Sequence, residues 1–417
     1  MKTKVDSLWD VIVIGGGPAG MMAAAVAASR GKSVLLLEKN PSLGKKLLIT
    51  GGGRCNVTNN KTDVRAMLAK YKKNDKFLFS AFAQCSVADS LQFFHARGMA
   101  TKEENEGRIF PKSNSAQSVW NVLVEYMKEN SVHVEINAEV TAILQNSNKD
   151  TFEVTLKNKT VVHAKSCVVA TGGTSRPETG SSGDGYKWMR LLGHSIKEND
   201  FALVPIALKD AWVKKLGGVT LPNIKITTFQ NGQKQDTQKG KLLFTHFGVS
   251  GPTILNMSRD VGELLRYGEV EMQLDLFPKI DHGTLKEELQ KLLVEHSNKK
   301  IKNVLGALIP KALVPGVLQL AHIDAETPNH SIRSAQRTLL VALLHAIPLQ
   351  VQGLLGADKA VVSSGGVVPE EIDFKTMQSR LIPNLYIVGD MLHIDRPSGG
   401  YSLQLCWTTG FVAGHNC

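Results

Sequence analysis

Asp10-Val-Ile-Val-Ile-Gly15-Gly-Gly-Pro-Ala-Gly20 is the stretch whose reading decides the fold. Residues 11–14 are apolar and β-branched, the composition of a strand buried on both faces. Residues 21–29, Met-Met-Ala-Ala-Ala-Val-Ala-Ala-Ser, have high helix propensity and stop just before Gly31, a suitable C-terminal cap. Val34-Leu-Leu-Leu-Glu38 reads as a second strand. Parallel strands need a crossover, and one helix supplies it, so the chain is α/β with a doubly wound domain. Between strand and helix stands Gly15-x-Gly17-x-x-Gly20. Gly15 permits the tight turn, Gly17 lets the backbone approach a pyrophosphate, and Gly20 lets helix and strand close up. Glu38 follows at the end of the second strand, placed to accept hydrogen bonds from an adenosine ribose and to repel a 2′-phosphate.

This unit does not distinguish NAD from FAD. Three further glycine-marked segments do: Ile49-Thr-Gly-Gly-Gly-Arg-Cys-Asn-Val-Thr-Asn59, the strand from Cys167 into Ala170-Thr171-Gly172-Gly173, and Val388-Gly389-Asp390 followed by Gly399-Gly400-Tyr401-Ser402 at the start of a last helix. Several elements converging on one nucleotide suit a long, enclosed FAD better than a dissociable NAD. Residues 132–171 read as a small sheet of short runs, 132–136, 152–156, 160–163 and 167–170. Strand-like pieces follow between 194 and 265, then a helical pattern over 285–344 interrupted by prolines, then strands at 360–362 and 385–388. The expected organisation is an FAD-binding domain in two pieces, 1–193 and 359–417, around an inserted substrate domain over 194–358, β-barrel-like and then helical.

The 417 residues carry a net charge of +11, from 49 Lys and Arg against 38 Asp and Glu, which favours anionic partners. Much of the excess lies in Lys209, Lys214, Lys215, Lys225, Lys234, Lys239 and Lys241, set against Asp210 and Asp236. The plainer account is a solvated basic surface. The five cysteines, Cys55, Cys85, Cys167, Cys406 and Cys417, are scattered and never spaced C-x-x-C, so neither a disulfide framework nor a zinc site is expected, and no metal site is assigned. No apolar stretch approaches the roughly 18–20 residues that span a bilayer, and no leader pattern opens the chain, so a soluble cytoplasmic protein without a membrane partner is expected.

Taken together, GGGPAG at 15–20, ITGGGRCNVTN at 49–59, ATGGTSRPETGSSGDGY at 170–186, LFTHFGVSGP at 243–252, SSGGV at 363–367 and the GD to GGYSLQ segment at 389–404 resemble the BaiN/YhiN-like flavoproteins. These are NAD(P)/FAD-dependent oxidoreductases of the two-dinucleotide-domain flavoprotein superfamily. The resemblance implies Gly15, Gly17, Pro18, Ala19 and Gly20 at the pyrophosphate, and Glu38 at the adenosine ribose. It implies Gly53, Arg54, Cys55 and Asn56 beside the flavin, Asp390 on the ribityl chain, and Gly400, Tyr401, Ser402 and Leu403 near the pyrimidine edge. Lys39, Lys46, Val140, Thr171, Gly172, Gly173 and Gly389 complete the implied cofactor set. The chain departs from the commoner pattern after Gly389, reading Asp-Met-Leu-His-Ile-Asp-Arg, which brings His393 and Asp395 into question on the substrate side.

Members of the resembled family reduce conjugated double bonds in steroids, or uracil to dihydrouridine in large-subunit ribosomal RNA. The expected activity is therefore FAD-dependent reduction of an activated carbon–carbon double bond, with ribosomal RNA held through lysines 209–241 or, otherwise, a small conjugated substrate. The disulfide-reductase second cysteine is replaced by Asn60, so electrons are expected to leave the flavin as hydride. Cys55 is a candidate general acid, with a packed thiol as the plainer alternative, and His246 a candidate acid or orienting group, with a buried, backbone-bonded histidine as its plainer alternative. A second complete Gly-x-Gly-x-x-Gly is absent, so NAD(P)H is expected as a transient donor. The rivals are a flavin oxidase of a small amine and a non-catalytic flavin-bound RNA-assembly factor.

Overall fold

Leu8–Ile14 and Val34–Leu37 are adjacent parallel strands, Ile12 opposite Leu35, joined by the helix Pro18–Ser29. The computed structural model describes residues 8–146, 150–265, 267–355 and 362–417. It divides the chain into two units, 1–201 with 360–417 and 202–359. The boundary expected at 358/359, and residues 360 and 361 of the strand expected at 360–362, fall outside the described residues; a strand runs Val362–Val367.

In the first unit the parallel sheet runs Leu385–Ile387, Val161–Val169, Leu8–Ile14, Val34–Leu37, His133–Glu135. The first strand thus has the second strand on one side and Val161–Val169 on the other. The order reverses there, and such a switch opens a crevice at the carboxyl ends of the strands. Gly15 and residues 170–173 lie at those ends. The central strands are buried on both faces, as their unbroken Val, Ile and Leu composition requires. The C-terminal helix, Tyr401–Asn416, lies on the first helix. A Cβ at Gly410 or Gly414 would stand 2.5 Å from the carbonyl oxygen of Ala19 or Ala23, so only glycine allows that approach.

The separate small sheet expected over 132–171 is corrected. His133–Glu135 and Val161–Val169 are members of the main parallel sheet, and the antiparallel ribbon Val140–Asn146 with Thr151–Leu156 is an extension of Val161–Val169. Residues 160–163 and 167–170, read as two strands, belong to one. Lys165 interrupts the apolar run only because it faces solvent, where it bonds Asp10 at 2.9 Å.

The second unit is a closed six-stranded barrel, in the order Ile206–Leu208, Gly248–Ser250, Gln233–Thr245, Thr220–Gln230, Val270–Asp275, Ile347–Leu354. Its interior is filled at a period of two by Ile224, Ile226, Thr228, Leu242, Phe244, Met272, Leu274, Ile347 and Leu349, all buried. The helices His282–Glu295, Val314–Leu320 and Ser334–His345 follow, burying Leu285, Leu289 and Leu293 at spacing four on one face of the first. Among the described residues no helix is long and apolar enough to cross a membrane.

Candidate functional site

The glycine turn is built as its spacing requires. Gly15 has φ +106°, and a Cβ there would meet the Ala170 carbonyl oxygen at 2.6 Å; a Cβ at Gly20 would meet the Gly15 oxygen at 1.9 Å. Gly17 differs from both. Its backbone is extended, φ −78° and ψ −179°, and a Cβ added to it would meet nothing within 4 Å. Open space therefore borders the helix start. Pro18 has no N–H to direct there, and the Ala19 backbone N–H turns to the Cys406 sulfur, but no side chain caps the helix, whose positive end borders the open space.

At one end of this space Glu38 accepts the Gly16 N–H (2.8 Å) on Oε2 and the Asn40 backbone and side-chain N–H groups (2.8 and 2.7 Å) on Oε1. Asn40 also donates to the Thr179 carbonyl at 3.0 Å, and Lys39 bonds Ser182 and pairs with Asp184 at 2.9 Å. Burial raises the Asp184 carboxyl, but Ser182 and Lys39 outweigh it and hold it below the ordinary range. The glycine-rich 179–184 stretch thus walls the Glu38 end. Val140 is buried beside it: Ala138 N–H donates to the Glu38 carbonyl at 2.9 Å just before the strand that Val140 begins.

At the other end Asp390, following the strand Leu385–Ile387, is enclosed between two cations. Lys46 Nζ reaches one carboxylate oxygen at 3.1 Å and Ser175 Oγ at 2.6 Å; the Arg396 guanidinium bonds the other oxygen. Burial pushes this carboxyl up, yet Arg396 and Lys46 prevail and hold it below the usual carboxylate range. Arg396 also donates to the Ile394 carbonyl at 2.7 Å and to Ser402 Oγ at 3.0 Å. His393 lies half-buried, its Nδ1 without a partner, and its backbone N–H donates to the Val367 carbonyl at 2.9 Å. Asp395 is half-buried too.

The 49–59 segment folds against the C-terminal helix. Gly51 and Gly52 are left-handed, and Gly53 is exposed. Arg54 forms a two-pronged pair with Glu104 (2.9 and 3.1 Å) and stacks over Phe110 at 4.2 Å. The amide orientation that satisfies the neighbours of Asn56 gives its nitrogen to the Thr58 and Ile109 carbonyls (3.0 and 3.1 Å) and its oxygen to the Gly400 N–H (3.0 Å). Behind it, Thr58 bonds Gln404 (2.7 Å), Gln404 bonds Ser90 and Thr408 (2.8 and 3.1 Å), and the Trp407 indole donates to the Val57 carbonyl (2.9 Å). This buried network fixes the helix start, where Tyr401 and Leu403 are buried, Ser402 meets Arg396, and no side chain caps the first turn.

Cys55 has φ +60° and is fully buried. Burial pushes its thiol up to about 12, only partly opposed by a hydrogen bond from Thr50, so the sulfur keeps its proton. The other four thiols are likewise buried and pushed up to about 12. Since the thiolate is the reactive form, the native protein at pH 8 should titrate essentially no thiols with a disulfide reagent, and all five after denaturation. Rapid native labelling of Cys55 would contradict its burial.

Thr171 bonds the Met391 sulfur at 3.0 Å, Gly172 is left-handed, Gly173 is buried, and the Gly389 N–H donates to Thr409 at 3.0 Å. The structure brings all of these into the first unit with the glycine turn. His246 belongs to the second unit. The expectation of a buried, backbone-bonded histidine there is corrected: His246 is exposed in the turn between Gln233–Thr245 and Gly248–Ser250, its ring edge-on to Phe247. Among the described residues no group of three His, Cys, Asp or Glu could hold a metal.

These residues fit FAD. The open space at Gly17 would take a pyrophosphate and Glu38 the adenosine ribose, with the Lys46–Asp390 group and the uncapped C-terminal helix at the other end of the same strand edges. Bound there, FAD would supply hydride chemistry; the protein's part is to hold and orient it. Asn40, Ser175, Arg396 and Gln404 were not found from sequence. Arg396 had a signal, since it ends the run that departs from the family pattern.

A family model described as the HI0933-like protein Rossmann domain matches residues 9–416. The ribosomal RNA dihydrouridine synthase of Escherichia coli (strain K12) is 31% identical over 412 residues, 98% of each chain. The 3-dehydro-bile acid delta(4,6)-reductase of Clostridium scindens is 30% identical over 405 residues, 96% of this chain and 97% of that one. Among solved structures, the open conformation of a flavocytochrome c3 fumarate reductase superposes with a TM-score of 0.55 over 99% of this chain and 78% of that chain, at 16% identity, a likeness of fold.

Proposed function

We propose, from the premise that the chain belongs to the HI0933-like Rossmann family and is an FAD-dependent oxidoreductase, that it reduces the C5–C6 double bond of uracil in large-subunit ribosomal RNA. The observation that carries this reading is the end-to-end similarity to a ribosomal RNA dihydrouridine synthase, and the placement of charge supports it. Ile224, Ile226, Leu242 and Phe244 fill the barrel, so strand alternation puts Lys225, Lys239 and Lys241 on its outer face. Lys209 and Lys225 are engaged by Glu269 (2.9 Å) and Asp275 (2.8 Å). Lys214, Lys215, Lys234, Lys239 and Lys241 are exposed and form no ion pair among the described residues, which leaves them for phosphates.

The C4 carbonyl of uracil makes C6 the electrophilic carbon, and C5 must receive a proton. Of the two proton donors considered, His246 is exposed on its barrel turn, whereas Cys55 holds its proton but is enclosed, and its role is packing. NAD(P)H is the electron donor in this reading, bound transiently because the chain has one dinucleotide fingerprint.

Holoprotein reduced anaerobically with NADPH and mixed with a uracil-containing ribosomal RNA fragment should reoxidise while the RNA gains two hydrogens per modified base. Reoxidation by a conjugated ketosteroid and not by RNA would select the small-substrate reading, which the bile acid reductase similarity favours. Peroxide release with an amine would select an oxidase, and RNA binding without reoxidation an assembly factor. The lysines have their own test. Each phosphate contact contributes about −0.7 to the log–log slope of single-strand affinity against salt, so replacing Lys214, Lys215, Lys239 and Lys241 with glutamine should flatten the slope by roughly two to three. A parental slope would remove RNA from this face.

A further inference from the structure

We infer that Arg396 is a positioning residue that also sets the charge balance beside the cofactor: with Lys46 it outnumbers the one carboxylate they share, and the excess positive charge raises the reduction potential of bound FAD. The inference rests on FAD as the cofactor and is independent of which double bond is reduced. The Arg396 side chain is fully enclosed, at 0% exposure, and all three guanidinium nitrogens are used, on Asp390, the Ile394 carbonyl and Ser402 Oγ. The second oxygen of Asp390 holds Lys46, which Ser175 also holds. Two cations therefore share the Asp390 carboxylate.

A buried charge excess is costly unless something complements it. The complement belongs in the crevice, because Lys46, Ser175 and Asp390 all follow the carboxyl ends of parallel strands and Ser402 is the second residue of the uncapped C-terminal helix, whose first turn adds partial positive charge. Two-electron reduction of FAD with uptake of one proton adds one negative charge to it. A fixed positive excess at low dielectric favours that form over the oxidised one. The bond from Arg396 to Ser402 ties the strand end at 389–390 to the helix start.

The test is the two-electron midpoint potential of FAD bound to Arg396→Met and Arg396→Lys, read against redox dyes, with FAD affinity and apoprotein melting measured alongside. Arg396→Met should shift the reduction equilibrium toward oxidised FAD by about tenfold or more, roughly 30 mV per tenfold, while Arg396→Lys keeps most of the parental value. If Arg396→Met does not fold, Lys46→Met removes the other, more exposed cation and should shift the potential in the same direction. Parental potentials in the folded variants, with lowered melting alone, would reduce Arg396 to a structural role and overturn the inference.

Discussion

Gly17→Val is expected to give a protein that folds as the parent does and carries no FAD. The extended backbone at residue 17 is one that valine adopts without strain, and the new Cβ meets no protein atom within 4 Å. The space it enters is that assigned to the pyrophosphate, beside the helix start that no side chain caps. A side chain there displaces the ligand and not the fold, so FAD affinity should fall by at least a hundredfold, about 2.7 kcal/mol, with apoprotein melting unchanged. Gly20→Val provides the contrast. Its Cβ would collide with the Gly15 oxygen, so it should lose the fold together with the cofactor. Colour and cofactor content after gel filtration, with a melting curve, separate the two outcomes; a yellow Gly17→Val protein would refute the pyrophosphate assignment.

Asp390→Ala should cost about 3–5 kcal/mol of stability, because it takes the shared carboxylate from two cations, one of them fully enclosed. The pH dependence gives the sign. The native carboxyl is held below its ordinary value of about 3.9, so its contribution is fully present above that value and is lost as the pH falls through the depressed native one. The gap between parent and variant in denaturant melts should therefore be constant above about pH 4 and close below it. A gap that widens on acidification would contradict the pairing.

The fold was legible where its causes are local. The βαβ unit shows in residues 10–38 because strand burial, helix propensity and the glycine turn are each settled within a few residues of chain. The Lys46–Asp390 pair joins residues 344 apart, and Arg396 reads in isolation as one more cation in a loop. Neither spacing nor composition could have found that group before the strand ends were brought together. Residues 132–171 were misassigned for a related reason: short alternating runs look alike whether they pair with each other or extend a parallel sheet, and the difference lies in partners far along the chain. His246 sits with Phe247 in the short turn between two barrel strands, which holds the ring in the open.

The cofactor assignment and the substrate assignment stand on different grounds, the first on the geometry of one sheet edge, the second on similarity and a basic barrel face. The measurement that bears most directly on the whole is a map of dihydrouridine in ribosomal RNA from cells with this gene, without it, and with the gene restored as Gly17→Val. One or more positions should carry dihydrouridine only when the parental gene is present, with the Gly17→Val strain matching the deletion. An identical dihydrouridine map in all three strains would contradict it.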